Sequence, residues 1–330
     1  MMNPDSAPRS AAPSVLAADT PALAVGVDMG GTSVKFAVVQ GADIVHKGAP
    51  LVTAAYATPD ELLEAVAGRV RELRDGYPGV CAVGMGLPGF VDHRAGRVDS
   101  LTNVPGWHDI MARDRLRELT GLPAAIDNDA NCMAFAEWKL GAGQGMNDLV
   151  CLTLGTGVGS GLIVNGQFLR GHLGAAGEIG QMSIDYRGRI GHYGNRGAVE
   201  DYIGNREMAM AAQLAYAAAG ETRSLAQCSP LELENAARAG CPIAQQIWQD
   251  FACKLACVLM NCHYVLNPEA FIIGGGVAKA GDLLFAPLRR YLRAQLYPSH
   301  FAQLKILPAR FGNEAGLIGA ARLALTALSD

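Results

Sequence analysis

The sequence predicts an α/β protein of two domains around an interdomain cleft. Three observations carry this: strand-like apolar runs alternate with helical spacing, a strand–glycine-turn–strand unit occurs at 23–39 and again at 149–164, and three glycine runs each close a strand. Two such units facing each other would cradle a nucleotide's phosphates between the domains. At 330 residues, half of them hydrophobic and 18% charged, the chain suits two cores of ordinary size rather than a disordered polymer.

The elements follow in order. The first twenty residues are rich in Ala, Pro, Ser and Asp and lack the apolar core of a signal peptide, so 1–21 is expected to be a flexible tail on a cytoplasmic chain with no membrane partner. From Ala22, ALAVGVDMGG reads as a strand ending in glycines, and KFAVVQG and DIVHKGAP continue it as strands joined at Gln40-Gly41. Apolar Leu62, Leu63, Val66, Val70 and Leu73 predict a helix over 59–75, opened by Pro59 and Asp60. A buried strand, VCAVGMGLPG, follows. AAIDND is a short strand running into the helix ANCMAFAEWKLG, after which the second strand–turn–strand unit begins. Over 242–265, Ile243, Ile247, Phe251, Leu255, Leu259 and Val265 form a helical core stripe that ends at Pro268, before the strand AFIIGGG. The closing helix EAGLIGAARLALTAL is expected to return to the first domain. This gives domains of 22–129 plus about 314–330, and 130–313.

Composition excludes several classes. A formal charge of −4 leaves no basic footprint for nucleic acid. The eight cysteines contain no CxxC pair and read as small buried hydrophobes in a reducing compartment.

The chemistry is concentrated at strand ends. In Asp28-Met-Gly30-Gly31-Thr32-Ser-Val-Lys35, glycines permit a tight turn whose N–H groups approach phosphate oxygens, while Thr32 and Lys35 add a hydroxyl and a charge. Asp28 is placed to hold Mg²⁺, directly or through water. The second turn, Gly155-Thr156-Gly157 and onward to Gly161, precedes a strand, which argues against a dinucleotide fingerprint. The third, Gly274-Gly275-Gly276, would let a flat base or ribose approach the backbone. Each alone also reads as a plain turn; together they read as a nucleotide cleft. Asp127-Asn128-Asp129 at a strand–helix junction fits two readings equally: a carboxylate that takes a hydroxyl proton in phosphoryl transfer, or a helix N-cap. Gly86–Gly89 and Leu101–Trp107, with Asn103, supply turns and one amide of the kind a sugar pocket uses. Glu178 and Glu200 stand in glycine-rich segments, where an ordinary solvated loop acid is the competing reading.

Together these residues resemble the ROK family (repressors, open reading frames and kinases) from about Ala22 to the C-terminus. The resemblance implies an actin-like (ribonuclease H-like) ATPase fold and an ATP-dependent hexokinase, most simply a glucokinase, that uses ATP and Mg²⁺. It makes Asp129 the general base. Gly89, Asn103, Asn128, Glu178, Gln181 and Glu200 become the sugar contacts, and Asp28–Lys35, Gly155–Gly157 and Gly275–Gly276 the nucleotide contacts. It also implies a homodimer or homotetramer. The family's zinc site uses one His and three Cys; those positions read Gln181, Gly191, Tyr193 and Ala198 here. Such side chains cannot build a thiolate/imidazole tetrahedron, so no structural zinc is expected. Tyr193 and neighbouring apolar groups are expected to pack in its place, with His192 a surface or packing residue. The His-to-Gln change at Gln181 bears on sugar specificity. Repressors of the family carry a DNA-binding domain ahead of the kinase-like part, for which about twenty residues are too few. A catalytically silent sugar sensor would not need Asp28, Asp129 and both phosphate turns. A fructose, mannose or N-acetylmannosamine kinase is the alternative enzyme, and polyphosphate the alternative donor.

Overall fold

The computed structural model describes residues 21–101, 104, 106–191 and 193–328. Asn103 and His192, both singled out above, lie outside them, as does most of the N-terminal segment.

The first half of the chain builds β1 (Leu23–Met29), β2 (Ser33–Gln40), β3 (Asp43–Val52), α1 (Pro59–Gly76), β4 (Val80–Leu87), β5 (Gly89–Asp92), β6 (Arg97–Leu101), β7 (His108–Ile110), α2 (Ala112–Thr120) and β8 (Ala124–Asn128). The main sheet runs β3-β2-β1-β4-β8, antiparallel among the first three strands and parallel from β1 onward. All five apolar positions predicted for α1 are buried against this sheet's core. Thr58 caps the helix, accepting from the Glu61 N–H at 3.2 Å. Strands β5, β6 and β7 form a small antiparallel sheet of their own.

The second half supplies α3 (Asp129–Leu140), β9 (Leu149–Leu154), β10 (Val158–Val164), β11 (Gln167–Phe168), α4 (Glu200–Ile203), α5 (Asn205–Ala218), α6 (Pro230–Arg238), α7 (Pro242–Leu266), β12 (Ala270–Gly275), α8 (Asp282–Gln295), α9 (Pro298–Gln303), β13 (Lys305–Pro308) and α10 (Ala315–Thr326). Its sheet runs β11-β10-β9-β12-β13, with β9 and β10 antiparallel and β9, β12 and β13 parallel. The strand order and senses repeat those of the first sheet, so the repeat seen in two strand–turn–strand units extends to whole five-stranded sheets. In α7 the stripe holds at Ile247, Phe251, Leu255 and Leu259, but Val265 is 78% exposed. Six residues past Leu259 is about 120° off the stripe, and Val258 and Cys262 fill the core instead.

The two sheets are joined through α3 and α10. Ala24 and Ala82 of the first sheet, Met133 and Ala134 of α3, Leu149 and Cys151 of the second sheet, and Leu317 and Ile318 of α10 share one buried cluster. The approach is so close that a Cβ on Gly84 would lie 1.8 Å from the Ala320 carbonyl oxygen. The closing helix thus packs on β1 and β4 of the first sheet. Among the described residues, no helix is long and apolar enough to cross a membrane.

Candidate active site

The glycine turns lie at the carboxyl ends of the strands, where open α/β sheets bind ligands. Asp28 pairs across the first sheet with Lys35 on one side and Gly86 on the other, and Gly86 pairs with Asp127. These residues form one row below the Gly30–Thr32 turn. Gly30 donates to the Ser33 carbonyl at 2.8 Å, and the turn's outer residues, Gly31 and Thr32, are open to solvent. The Lys35 ammonium stands 3.4 Å from Asp28. In the second sheet Gly274 and Gly275 pair with Thr153 and Leu154, which sets the third glycine run beside the second turn. Gly275 has φ +86°, and a Cβ there would sit 2.0 Å from the Leu154 carbonyl oxygen, so only glycine allows the contact.

The Asp127-Asn128-Asp129 junction divides its roles. Asn128 is the N-cap of α3: its Oδ1 accepts from Ala130 at 2.9 Å and Asn131 at 3.2 Å, while its Nδ2 donates to the Gly89 carbonyl at 3.0 Å. Asp127 is 2% exposed and paired with Arg170 at 2.5 Å. Asp129, the first residue of α3, is half-buried. Burial, with smaller contributions from Asp28 and Glu178, pushes its carboxyl up to about 6, against a lowering by the Ala130 N–H.

A cavity of about 300 Å³ opens beside this junction. Gly89, Asn128 and Glu178 line it, as do Phe90 and Leu173, together with Asp99, Asn131 and Ser160, which the sequence alone did not single out. Asn131 stands one helical turn beyond Asn128, a spacing that the i,i+3 rule could have flagged. Ser160 holds the wall: its hydroxyl donates to the Gly177 carbonyl and accepts from the Ile179 N–H. The Glu178 carboxyl is raised by desolvation and by the charge of Glu200. Glu200 in turn faces Gly157 of the second turn, where a Cβ would lie 2.9 Å from its Oε2. Asp28 and Glu178 thus both act electrostatically on Asp129, and Glu200 acts on Glu178 while facing the second turn. Gln181 does not line the cavity, and its side-chain oxygen is buried without a partner.

The segment that would carry a zinc site folds differently from expectation. Tyr193 is half exposed and sets its ring edge-on to Phe90, at 6.2 Å between centroids. A Cβ on Gly191 would meet the Asp201 Oδ2 at 2.6 Å, the Asn195 Oδ1 at 3.2 Å and the Ala198 Cβ at 3.3 Å. Two polar oxygens and the Ala198 methyl therefore surround the space that a side chain at 191 would take. The absence of a side chain at 191 leaves room for the Asp201 carboxylate. Among the described residues, no group of three His, Cys, Asp or Glu is arranged to hold a metal, and all eight cysteines are unpaired.

The ROK family profile matches residues 24–327. The glucokinase of Streptomyces coelicolor is 32% identical over 314 residues, which cover 92% of this chain and 97% of that protein. The glucokinase of Halalkalibacterium halodurans is 33% identical over 312 residues, 89% of this chain and 92% of that one. The crystal structure of a ROK family glucokinase from Streptomyces griseus, in complex with glucose and AMPPNP, matches with a TM-score of 0.78 at 31% identity. The match covers 92% of this chain and 99% of that one.

Proposed function

The chain belongs to the ROK family, and we propose that it is an ATP-dependent glucokinase with Asp129 as its general base. Its fold is the actin-like, ribonuclease H-like one, and its enzyme class is that of a sugar kinase. The observation that carries the choice of base is the position of Asp129. It opens α3 directly after the cavity-lining Asn128, and its Cα would lie 3.6 Å from a Cβ on Gly86, the strand partner of Asp28.

The reaction needs little covalent help from the protein. A glucose hydroxyl held in the cavity attacks the γ-phosphorus of ATP; the new O–P bond forms as the bond to the β-phosphate oxygen breaks, and ADP leaves. Asp129 takes the hydroxyl proton. A carboxyl near 6 is ionised at neutral pH yet basic enough to share a proton in the transition state. Asn128, Gly89 and Glu178 orient the sugar, with Glu200 and Gln181 behind them, and the backbone N–H groups of the three glycine turns receive the nucleotide. Asp28 is a single, partly open oxygen donor beside the exposed turn. That fits Mg²⁺, which is held by one or two carboxylates together with substrate phosphates. When bound, the ion supplies neutralisation of phosphate charge. Lys35, beside the same carboxylate, adds a second cation to the turn.

The test is a sugar panel. Purified protein is assayed for ADP release with glucose, mannose, fructose and N-acetylmannosamine, using ATP and, separately, polyphosphate. Highest kcat/KM for glucose with ATP is expected; a preference for another sugar, or for polyphosphate, would overturn that assignment while leaving a sugar kinase.

A further inference from the structure

Asp127 has so far no role in the chemistry, yet it is the most buried carboxylate of the junction, 2% exposed. A carboxylate taken from water needs partners for its lone pairs, and the partners here come from two parts of the molecule, the start of α3 and the segment after β11. Its Oδ1 accepts from the backbone N–H of Asn128 at 2.8 Å and from Asn131 Nδ2 at 2.9 Å. Its Oδ2 accepts from Arg170 Nη1 at 2.5 Å. Asn128 and Asn131 both line the sugar cavity.

Arg170 comes from the other sheet, just past β11. Its guanidinium is only 15% exposed and lies 4.7 Å over the Phe168 ring, which leaves it little rotamer freedom. Its carbonyl accepts from the Ala176 N–H at 3.0 Å, closing a loop through Gly171, which has φ +70°. That loop carries Leu173, Gly174, Ala175 and Ala176, one wall of the cavity. His93 and the buried Cys132 thiol also face the pair; burial and Asp127 hold the thiol protonated. Burial and the adjacent guanidinium hold the His93 imidazole below the usual range, so it stays neutral and leaves Arg170 as the cation opposite Asp127.

We propose that Arg170 is a positioning residue, and that its ion pair with Asp127 is a strut between the two sheets. It holds the 171–176 wall in register with Asn128, Asn131 and Asp129, and so fixes the sugar against the base. Neither side chain touches the reacting atoms. This role rests on the sugar-kinase reading above.

The experiment compares wild type with Arg170→Lys, Arg170→Met, Asp127→Asn and the double variant Asp127→Asn/Arg170→Met. It reads kcat and the KM for each substrate on folded protein, and sugar affinity by calorimetry without nucleotide. Arg170→Met and Asp127→Asn are each expected to lower kcat about 10- to 100-fold, as misplacement by an ångström does. They should also weaken sugar binding and leave the ATP KM unchanged. Arg170→Lys should recover part of the loss, and the double variant should lose less than the product of the single losses. Variants that melt earlier but keep wild-type kcat and sugar affinity, or single losses that simply multiply, would overturn the strut. Wild-type protein that neither binds nor phosphorylates any sugar would overturn the kinase reading and the strut with it.

Discussion

At the scale of single residues, the chemistry turns on how three adjacent polar side chains divide their work. From spacing alone, Asp127-Asn128-Asp129 served equally as base or cap; the structure shows Asn128 capping α3 and Asp127 neutralised by Arg170. The partner of Asp127 was illegible because it lies far along the chain, on an edge hairpin of the other sheet. Asp129 is left with a raised carboxyl, and two predictions belong to it. Because the base must be ionised, kcat for sugar phosphorylation should be full above pH 7 and fall as pH drops through about 6, measured as a pH–rate profile at saturating substrates. Raising the folded-state value above the ordinary 3.8 also means that ionised Asp129 costs stability once pH rises past that range. Asp129→Asn should then be at least as stable as wild type at pH 8, by up to about 1 kcal/mol in denaturant unfolding. Asn128→Ala should lose about 1 kcal/mol through the missing cap and also raise the sugar KM. A loss of stability with unchanged KM would leave Asn128 only its capping role.

Elements were read best where a strand ended in glycine. The three turns stood out as glycine clusters at strand ends, and at Gly275 the positive φ and the approach of Leu154 require glycine. Gly275→Ala is expected to cost at least about 2 kcal/mol in unfolding and to raise the ATP KM. An alanine variant of wild-type stability would contradict the packing of the second and third turns. Helix α1 was legible from end to end, whereas Val265 was assigned to the core of α7 by hydrophobicity against its own phase. In the 185–200 segment the loss of zinc ligands was readable, but its replacement was not: Asp201 beside Gly191 is a contact that no spacing announces. Elemental analysis of protein purified without chelator should find no stoichiometric zinc; one zinc per chain would contradict the reading of Gln181, Gly191, Tyr193 and Ala198 as non-ligands.

For the whole molecule, two sheets of identical strand order are packed through α3 and α10, with the cavity at the junction where β8 enters α3. The sequence disclosed that repeat as two strands of each five-stranded sheet; the edge strands β11 and β13 of the second sheet, two and four residues long, were too short to register. The domain division we propose, 22–129 with about 314–330 against 130–313, makes the β8–α3 junction and the link into α10 the two crossings about which a cleft would close. Asp129 would then stand at a hinge as well as at the site, so its neighbours would meet the sugar only in the closed arrangement. Glucose-dependent ADP release from Mg-ATP, compared between wild type and Asp129→Asn with calorimetry of glucose on both, tests this account most directly. It predicts turnover in wild type, a loss of about 10²- to 10⁴-fold in the variant, and glucose affinity retained. Undiminished turnover in Asp129→Asn would contradict Asp129 as the base, and glucose binding without turnover in wild type would contradict the kinase itself.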